Sequence, residues 1–318
     1  MSPRENESEL VARAIDGESA ALEAVVNLVQ DPIYRLALRM VLRPPDAEDA
    51  TQEILVRVVT RLSSWQGEAS LVTWAYRIGV NYLLNLRRTT PLEQMSFTFD
   101  RFSEDLANGT SPADYAGPDA ELLAEEVRLS CTQAVLQCLE RSERITYLLG
   151  EVFDLPSDQA AWILDTTPAA YRKRLERARR RIRAAMSAKC GLVNEAAACR
   201  CSRRIEVQIA RGRLDRGHPV FATHPTSGAV REAERQMQEL HDTAALLSSH
   251  PAYSAPRSRS EAVLTLARSG RFSLLATEPP AEVDPDAAGG CILQQPTTSA
   301  IVLQSSSTSP STSSARMT

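Results

Sequence analysis

The 318-residue chain lacks any run of 18 apolar residues, so we expect no transmembrane helix. Its first ten residues, MSPRENESEL, are polar and acidic and have no apolar stretch like that of a secretory signal. We therefore expect a cytoplasmic protein. The sequence also contains no nucleotide-binding loop, no catalytic-triad pattern and no zincin motif, which predicts that the chain is not an enzyme.

Lysine is nearly absent, since Lys173 and Lys189 are the only two among 36 basic residues. The formal net charge of −4 hides a strong segregation of charge. Residues 172–216 carry fifteen Lys or Arg against four Asp or Glu, a local net charge of +11. An acidic body with one basic segment is typical of a protein that binds both a protein partner and nucleic acid.

No part of the first 90 residues alternates with the period of a strand, and apolar residues recur there at helical spacing. Helices are predicted over 10–30 with a gap around Gly17, from Pro32 to residue 41, over 47–62 and over 71–88, with Pro44 and Pro45 ending the second. A second helical block spans 119–186. The intervening residues are rich in Pro, Gly, Asp and Ser and predict a flexible linker. The fold class expected is all-α.

The segment Pro168–Arg183 predicts a helix that binds DNA. Thr167 is a suitable N-cap, and Pro168 suits the first helical position. The helix has an apolar stripe and carries eight cations against one acid, Glu176. A short helix over 158–164 precedes it, and in the turn between them Asp165 can adopt a left-handed conformation. This is the spacing of a helix-turn-helix, whose second helix enters the major groove. A basic surface helix without DNA contacts is the alternative.

Two further segments suggest binding surfaces. In the helix over 47–62, Asp49, Gln52 and Glu53 lie opposite the apolar stripe. They form either a solvated face or an acidic face on which a protein partner docks. The segment 65–88 interleaves aromatic side chains with Arg and Asn. Such a pattern suits single-stranded DNA, because rings stack on bases, amides read base edges and arginines hold phosphates. For Trp74, core packing is the competing interpretation.

These blocks together resemble an RNA polymerase sigma factor of the extracytoplasmic-function type, in the sigma-70 family. DAEDATQEILVRVV is similar to region 2.2, SSWQGEASLVTWAYRIGVNYLLNLRR to regions 2.3 and 2.4, and residues 139–183 to region 4. The resemblance implies region 2 at 10–90, a linker at 91–118 and region 4 at 119–187. A partly helical, cysteine- and arginine-containing extension would follow at 188–276, and a disordered tail at 277–318.

The resemblance also implies partners, namely promoter DNA and the β′ clamp and β flap of core RNA polymerase. An anti-sigma factor is a candidate third partner, no membrane partner is expected and no cofactor is required. The polymerase-binding residues would be Asp49, Gln52 and Glu53. The −10 element would be bound by Trp65, Trp74, Arg77, Asn81, Arg87 and Arg88. The −35 element would be bound by Tyr171, Arg172, Lys173, Arg174 and Arg177.

The extension contains the second feature of interest. Cys190, Cys199 and Cys201 lie among arginines, which predicts lowered thiol pKa values. An inert structural role, zinc or copper binding and a redox role all remain open for these three residues. Cys131 and Cys138 are expected in the core. Residues 229–275 show helical patterns and are predicted to fold back on one of the two domains and modulate its activity.

A different class of protein fits part of the sequence. A helix-turn-helix regulator that binds duplex DNA alone would use the first domain for dimerisation or ligand sensing. An enzyme acting on nucleic acid is a more distant alternative, because no carboxylate cluster for a metal is visible. The docking face followed by the aromatic and arginine-rich segment favours the sigma factor, since a repressor has no need of either.

Overall fold

The computed structural model of the protein describes residues 3–86, 97–222, 247–248 and 250–269. Over these ranges the chain forms helices and no strand, which confirms the all-α class. No helix among them is both long and apolar enough to cross a membrane. The helices of these ranges are α1 (Pro3–Ile15), α2 (Ser19–Val41), α3 (Pro44–Thr60), α4 (Leu71–Asn85), α5 (Phe99–Asn108), α6 (Ala120–Gln137), α7 (Arg141–Tyr147), α8 (Ser157–Ile163), α9 (Pro168–Lys189), α10 (Cys201–Ala210) and α11 (Arg257–Arg268). A 3-10 turn at Leu62–Ser64 follows α3, and a π turn at Leu148–Val152 follows α7.

The first four helices are organised around α2, which packs against α1, α3 and α4. Its side chains are buried on more than one face, with Ile33, Leu36 and Leu38 almost wholly inaccessible. The apolar stripe predicted for α3 is confirmed, because each of its members is buried. These members are Ala47, Ile54 and Val58 of α3 and Leu62 of the 3-10 turn that follows it.

Two predictions based on proline are wrong. Helix α2 runs unbroken through Pro32, which we expected to start a new helix. Residues on both sides of Pro32 are buried, so tertiary packing outweighs the hydrogen bond that proline cannot donate. Pro44 and Pro45, predicted to end α2, are instead the first residues of α3. A missing N–H costs little in a first helical turn, because those N–H groups have no partner within the helix.

The predicted flexible linker, residues 91–118, contains helix α5. Thr98 caps this helix by accepting a hydrogen bond from the Arg101 backbone N–H at 3.3 Å. Phe102 and Leu106 lie one turn apart and are both buried. The prediction of an irregular segment is therefore wrong at Phe99–Asn108. A helix this short depends on the surface that it packs against, and sequence periodicity does not reveal that surface.

Helices α7 to α9 form the predicted helix-turn-helix. Asp165, in the turn before α9, has a φ of 50°, the left-handed conformation expected of it. Helix α9 begins at Pro168, and the Thr167 hydroxyl accepts a hydrogen bond from the Ala170 N–H at 3.2 Å. Both predicted start signals are confirmed, and so is the apolar stripe. Its buried members are Tyr171, Leu175, Ala178, Ile182 and Ala185.

A buried arginine joins the helices of residues 3–85 to those of residues 120–189. Arg144 of α7 is 3% exposed and donates to Met40 O at 2.6 Å and to Leu136 O at 3.0 Å. It also donates to the carbonyls of Gln137 and Leu139. These carbonyls lie at the C-terminal ends of α2 and α6, where backbone oxygens lack helical partners and carry partial negative charge. The guanidinium therefore satisfies both helix ends at once.

The described chain after α9 returns to the surfaces of both helix groups. Helix α10 packs against α6, and its Ile205 joins Leu123 and Val127 in a small separate core. The later segment, at Leu247–Ser248 and His250–Arg268, ends in α11, which packs against α2 and α3. The helix predicted at 230–247 and the tail predicted after residue 277 lie outside the described residues, except for Leu247.

His250 is a buried titratable group of this later segment. Its Nε2 lies 2.6 Å from Thr132 Oγ1 in α6, and its Nδ1 lies 3.3 Å from the Tyr253 hydroxyl. Burial lowers the pKa of His250 well below its usual range, and the charges of Arg39 and Arg128 lower it further. The folded protein therefore holds this imidazole neutral at pH values at which an unfolded chain would already bind a proton.

Acidification should destabilise the fold through His250. Below about pH 6.5 the unfolded state binds a proton that the folded state excludes, so stability falls by up to about 1.4 kcal/mol per pH unit. Urea unfolding of the full chain at pH 7.5, 6.5 and 5.5 measures this dependence. A His250→Gln variant keeps a polar side chain and removes the titration, so it should lose less stability between pH 6.5 and 5.5. An equal loss in both proteins would contradict the assignment.

Candidate nucleic-acid and protein-binding surfaces

The N-terminal half of α9 presents cations that are not used within the fold. Arg172 and Lys173 are exposed and Arg174 is half-buried. None of the three forms an ion pair with any residue that the structure describes. The helix-turn-helix therefore offers positive charge at the end of α9 that a recognition helix would insert into the major groove.

Further along α9, three arginines are used differently. Arg177 lies 3.3 Å from a carboxylate oxygen of Glu143, and Arg181 pairs with the same carboxylate. Arg179 donates to Glu151 at 2.8 Å. Both acids are largely buried, with side chains 12% and 11% exposed. These ion pairs attach α9 to α7 and to the π turn, so Arg177, predicted to bind the −35 element, also has a structural role.

Tyr171 requires a correction within the predicted −35 set. Its side chain is 1% exposed, and its hydroxyl donates to Thr146 O at 3.4 Å. Burial raises the pKa of Tyr171 to about 12. Helical spacing places Tyr171 both on the apolar stripe and in the first turn of α9, which would enter the major groove. Packing on the stripe prevails, because burial removes the apolar surface of the ring from water.

The acidic face of α3 is only partly open. Asp49 and Glu53 are exposed and Gln52 is half-buried. Arg259 of α11 reaches this face, with its guanidinium 3.0 Å from Asp49 Oδ1 and 2.9 Å from Gln52 Oε1. The pairing joins residues more than 200 positions apart, and nothing in the sequence around Arg259 distinguishes it from neighbouring arginines. The contact of Arg259 with the α3 face was therefore not predicted.

The aromatic residues before and within α4 line a pocket. Trp65 and Trp74 are half-buried and lie beside Arg77 at its walls. The Trp65 indole donates to Ala69 O at 3.1 Å, which fixes the ring against the loop. Gly67, with a φ of 73°, allows that loop to turn. Neither interpretation of Trp74 is complete, since the ring both packs on the core and faces the pocket.

The remaining predicted −10 residues are placed unevenly. Arg77 is covered from the helix-turn-helix side, where its guanidinium lies 4.6 Å from the centre of the Trp162 ring and 3.2 Å from Asp165 Oδ1. Neither partner was predicted, because the proximity of Trp162 and Asp165 to Arg77 depends on how α8 packs on α4. Asn81 is exposed, and Arg87 and Arg88 lie outside the described residues.

Four cysteines converge between α6, α9 and α10. Cys131 lines the same small pocket as the three cysteines of the extension, together with Arg204. Cys190 and Cys199 also face each other across an isolated backbone bridge. The expectation of lowered pKa values is wrong. Burial raises the pKa of Cys190 and Cys199, and raises that of Cys201 to about 12. Desolvation of the thiolate outweighs the nearby arginines.

The metal interpretation of the three extension cysteines gains no support from this geometry. Within the described ranges, no three His, Cys, Asp or Glu side chains are arranged to hold a metal ion. Cys131 was expected in the core, and its place beside the three extension cysteines was not expected. The signal that could have found it is the apolar helical pattern of α6, which faces the segment that follows α9.

Comparison with known proteins shows relatives of one kind. The family model described as Sigma-70 region 2 matches residues 25–90. The chain is 29% identical over 189 residues to the ECF RNA polymerase sigma-E factor of Haemophilus influenzae, covering 57% of this chain and 96% of that protein. It is 27% identical over 186 residues to the ECF RNA polymerase sigma-E factor of Escherichia coli (strain K12), covering 57% and 95%.

A third relative gives the same pattern of coverage. The chain is 26% identical over 186 residues to the RNA polymerase sigma-H factor of Pseudomonas aeruginosa, covering 57% of this chain and 94% of that protein. The three relatives are thus matched over nearly their whole length. The rest of this chain has no counterpart in them.

The buried thiols should react slowly. Because burial raises the pKa values of Cys190 and Cys199, both are protonated at neutral pH, and the thiolate is the reactive form. Labelling the native chain with a maleimide at pH 7.5, followed by peptide mass spectrometry, should show these two labelled at least about tenfold more slowly than in urea. Labelling as fast as in the unfolded chain would show that the site is open.

The ion pairs of Glu143 should stabilise the helix-turn-helix. Glu143→Gln removes the charge that Arg177 and Arg181 share and should lower the free energy of unfolding by about 1 kcal/mol, because both arginines are half in water. Glu176→Gln is the matched control, since that acid is exposed on α9 and lies 3.9 Å from Arg179. Equal effects of the two changes in chemical denaturation would argue against a structural role for Glu143.

Proposed function

Because the chain belongs to the extracytoplasmic-function branch of the sigma-70 family, we propose that it binds core RNA polymerase, directs it to promoters and enables transcription to start. The observation that carries this function is the match to relatives over nearly their full length, with region 2 at residues 25–90. A helix-turn-helix regulator that acts alone is not favoured, because such a protein has no need of region 2. The chain thus acts as a regulator of the polymerase.

For polymerase binding, we assign Asp49, Gln52 and Glu53 of α3 to the β′ clamp helices. The two carboxylates are exposed and the amide can both donate and accept, so the face suits a basic, hydrogen-bonding partner. The helix-turn-helix group would contact the β flap. The open cations of α9 remain available to DNA in this arrangement.

For the −10 element, we assign the pocket of Trp65, Trp74 and Arg77 to an unpaired base. Stacking on an aromatic ring contributes about 1–3 kcal/mol per base, which offsets the cost of unstacking that base from the duplex. The exposed amide of Asn81 would read a base edge, and Arg87 and Arg88 would hold phosphates. Trp162 and Asp165 stand against Arg77, so α8 would have to move away from α4 when the strand enters.

For the −35 element, we assign the first turns of α9 to the major groove. Arg172, Lys173 and Arg174 are the cations at that end, and Arg174 is the best placed to read a base because it is partly held against the fold. Arg180 and Arg183 are exposed further along the helix and suit phosphates. The start of the helix, Ala-Ala-Tyr-Arg-Lys-Arg, departs from the usual family run, so the promoter sequence of the family is not transferred to this chain.

Reconstituted transcription tests the function directly. Core polymerase with this protein should start specific transcripts that core polymerase alone does not. Glu53→Gln should weaken binding to core polymerase about fivefold, since it removes one exposed charge worth about 1 kcal/mol. Asp16→Asn, an exposed acid between α1 and α2, is the control and should change nothing. A gel shift of duplex DNA by the protein alone, without any specific transcript, would establish the stand-alone regulator instead.

The role of Arg174 can be separated from that of its neighbours. Arg174→Ala should weaken use of a cognate promoter by about 1–3 kcal/mol and relax specificity at one base pair. Arg183→Ala, an exposed cation on the same helix, should weaken binding to all sequences alike. Competition between cognate and scrambled −35 sequences measures the difference. A uniform loss for both variants would assign Arg174 to phosphate positioning.

A further inference from the structure

Arg259 of α11 contacts three polar residues of the α3 face. Its guanidinium lies 3.0 Å from Asp49 Oδ1, 3.6 Å from Glu48 Oε2 and 2.9 Å from Gln52 Oε1. Two of these partners, Asp49 and Gln52, are residues that we assign to polymerase binding. One cation of this chain therefore takes hydrogen-bond acceptors that a basic partner would need.

Helix α11 also has an apolar face that seats it. Ser260, Val263, Leu264 and Ala267 recur at helical spacing, and each is at most 6% exposed. The last three belong to the same hydrophobic core as α2 and α3, against which α11 packs. An amphipathic helix laid on a neighbouring helix pair by its apolar face is a recurrent mode of binding between separate proteins. Here the helix comes from the same chain.

The residues before α11 anchor it to both helix groups. Ser248 Oγ donates to Glu151 O at 2.7 Å, and His250 lies 2.6 Å from Thr132, so this end rests on the helix-turn-helix side. The Ala255 N–H donates to Asp31 of α2 at 2.8 Å, two residues before α11 begins. The segment thus crosses from one candidate DNA-binding group to the other before it reaches the docking face.

We propose that α11 is an intramolecular inhibitor that occupies the polymerase-docking face of α3 and must leave before core polymerase binds. The inference rests on the proposed function, whose docking face it names as the regulated site. Arg259 occupies hydrogen-bonding positions on Asp49 and Gln52 that a polymerase side chain would otherwise use. The apparent affinity for polymerase then equals the intrinsic affinity multiplied by the fraction of molecules in which α11 is undocked. The match to the Haemophilus influenzae relative spans 96% of that protein and 57% of this chain. An extension such as α11 therefore has no counterpart in that relative.

A purely structural role for α11 predicts the opposite change in affinity for polymerase when the helix is loosened. If α11 only braced α2 and α3, loosening it would disturb the docking face and weaken polymerase binding. If α11 inhibits, loosening it lowers the stability of the fold and strengthens polymerase binding at the same time. Affinity and stability measured on the same variants therefore distinguish the two roles.

The experiment uses the full chain and titrates it against fluorescently labelled core polymerase. Arg259→Ala should tighten binding about three- to tenfold, because it removes the ion pairs and leaves the apolar seat intact. Val263→Asp places a charge in that seat and should tighten binding by more than Arg259→Ala. Arg257→Ala is the matched control, since this arginine is exposed on the same helix and has no ion pair among the described residues. It should bind like the unaltered chain.

The outcomes separate the inhibitor from the function on which it rests. Tighter binding by Arg259→Ala and Val263→Asp, with unchanged binding by Arg257→Ala, supports the inhibitor. If the unaltered chain binds polymerase and Glu53→Gln weakens it, but neither α11 variant tightens it, the inhibitor is overturned and the sigma-factor function stands. If no variant binds core polymerase at all, both proposals fall together.

Discussion

The buried guanidinium of Arg144 is the interaction on which the arrangement of the two helix groups depends. It donates to the terminal carbonyls of α2 and α6, at Met40 and Leu136, from a position that is 3% exposed. An apolar side chain could fill that space, but it would leave the carbonyls of both helix ends without donors. This contact links α2, α6 and α7. The two helix groups also meet where α8 approaches α4, at Trp162 and Arg77.

The junction around Arg144 is unusually polar for a shared core. Arg39, one residue before Met40, is also buried, and burial lowers its pKa to about 10. Its guanidinium lies 5.7 Å from the centre of the Phe153 ring. Charged groups regain hydration when an interface opens, so a junction built on them separates at a lower cost than one built only on apolar side chains. The proposed entry of a DNA strand beside Arg77 requires such a separation. The buried charges of Arg144 and Arg39 suit the junction to that separation.

Features that depend on neighbours in sequence could be predicted, and features that depend on distant packing could not. Thr167, Pro168 and Asp165 act within a few residues of themselves, and the cap, the helix start and the left-handed turn all follow from local chemistry. Pro32 was misjudged because its helix is held by surfaces that lie elsewhere in the chain. Helix α5 was missed for the same reason.

The cysteines show that the direction of a pKa shift could not be predicted from the sequence alone. A high density of arginines around Cys190, Cys199 and Cys201 is visible in the sequence and predicts lowered pKa values. Burial is not visible there, and it dominates. The contacts between Arg77 and Asp165 and between Arg259 and Asp49 join residues 88 and more than 200 positions apart, and no local pattern announces them. The charge segregation of the chain indicated a protein partner and nucleic acid, and it did not indicate these pairs.

That segregation also explains how a short helix can compete with a large partner. The acids of α3 attract any nearby cation, and α11 is tethered within the same chain. A tethered segment acts at an effective concentration of roughly millimolar, so a contact with a dissociation constant of about 0.1 mM already occupies the face in most molecules. A weak and partly exposed ion pair at Arg259 is sufficient for that purpose, given the apolar seat of Val263 and Leu264. The same weakness lets a partner that binds more tightly displace it, which a strongly held helix would prevent.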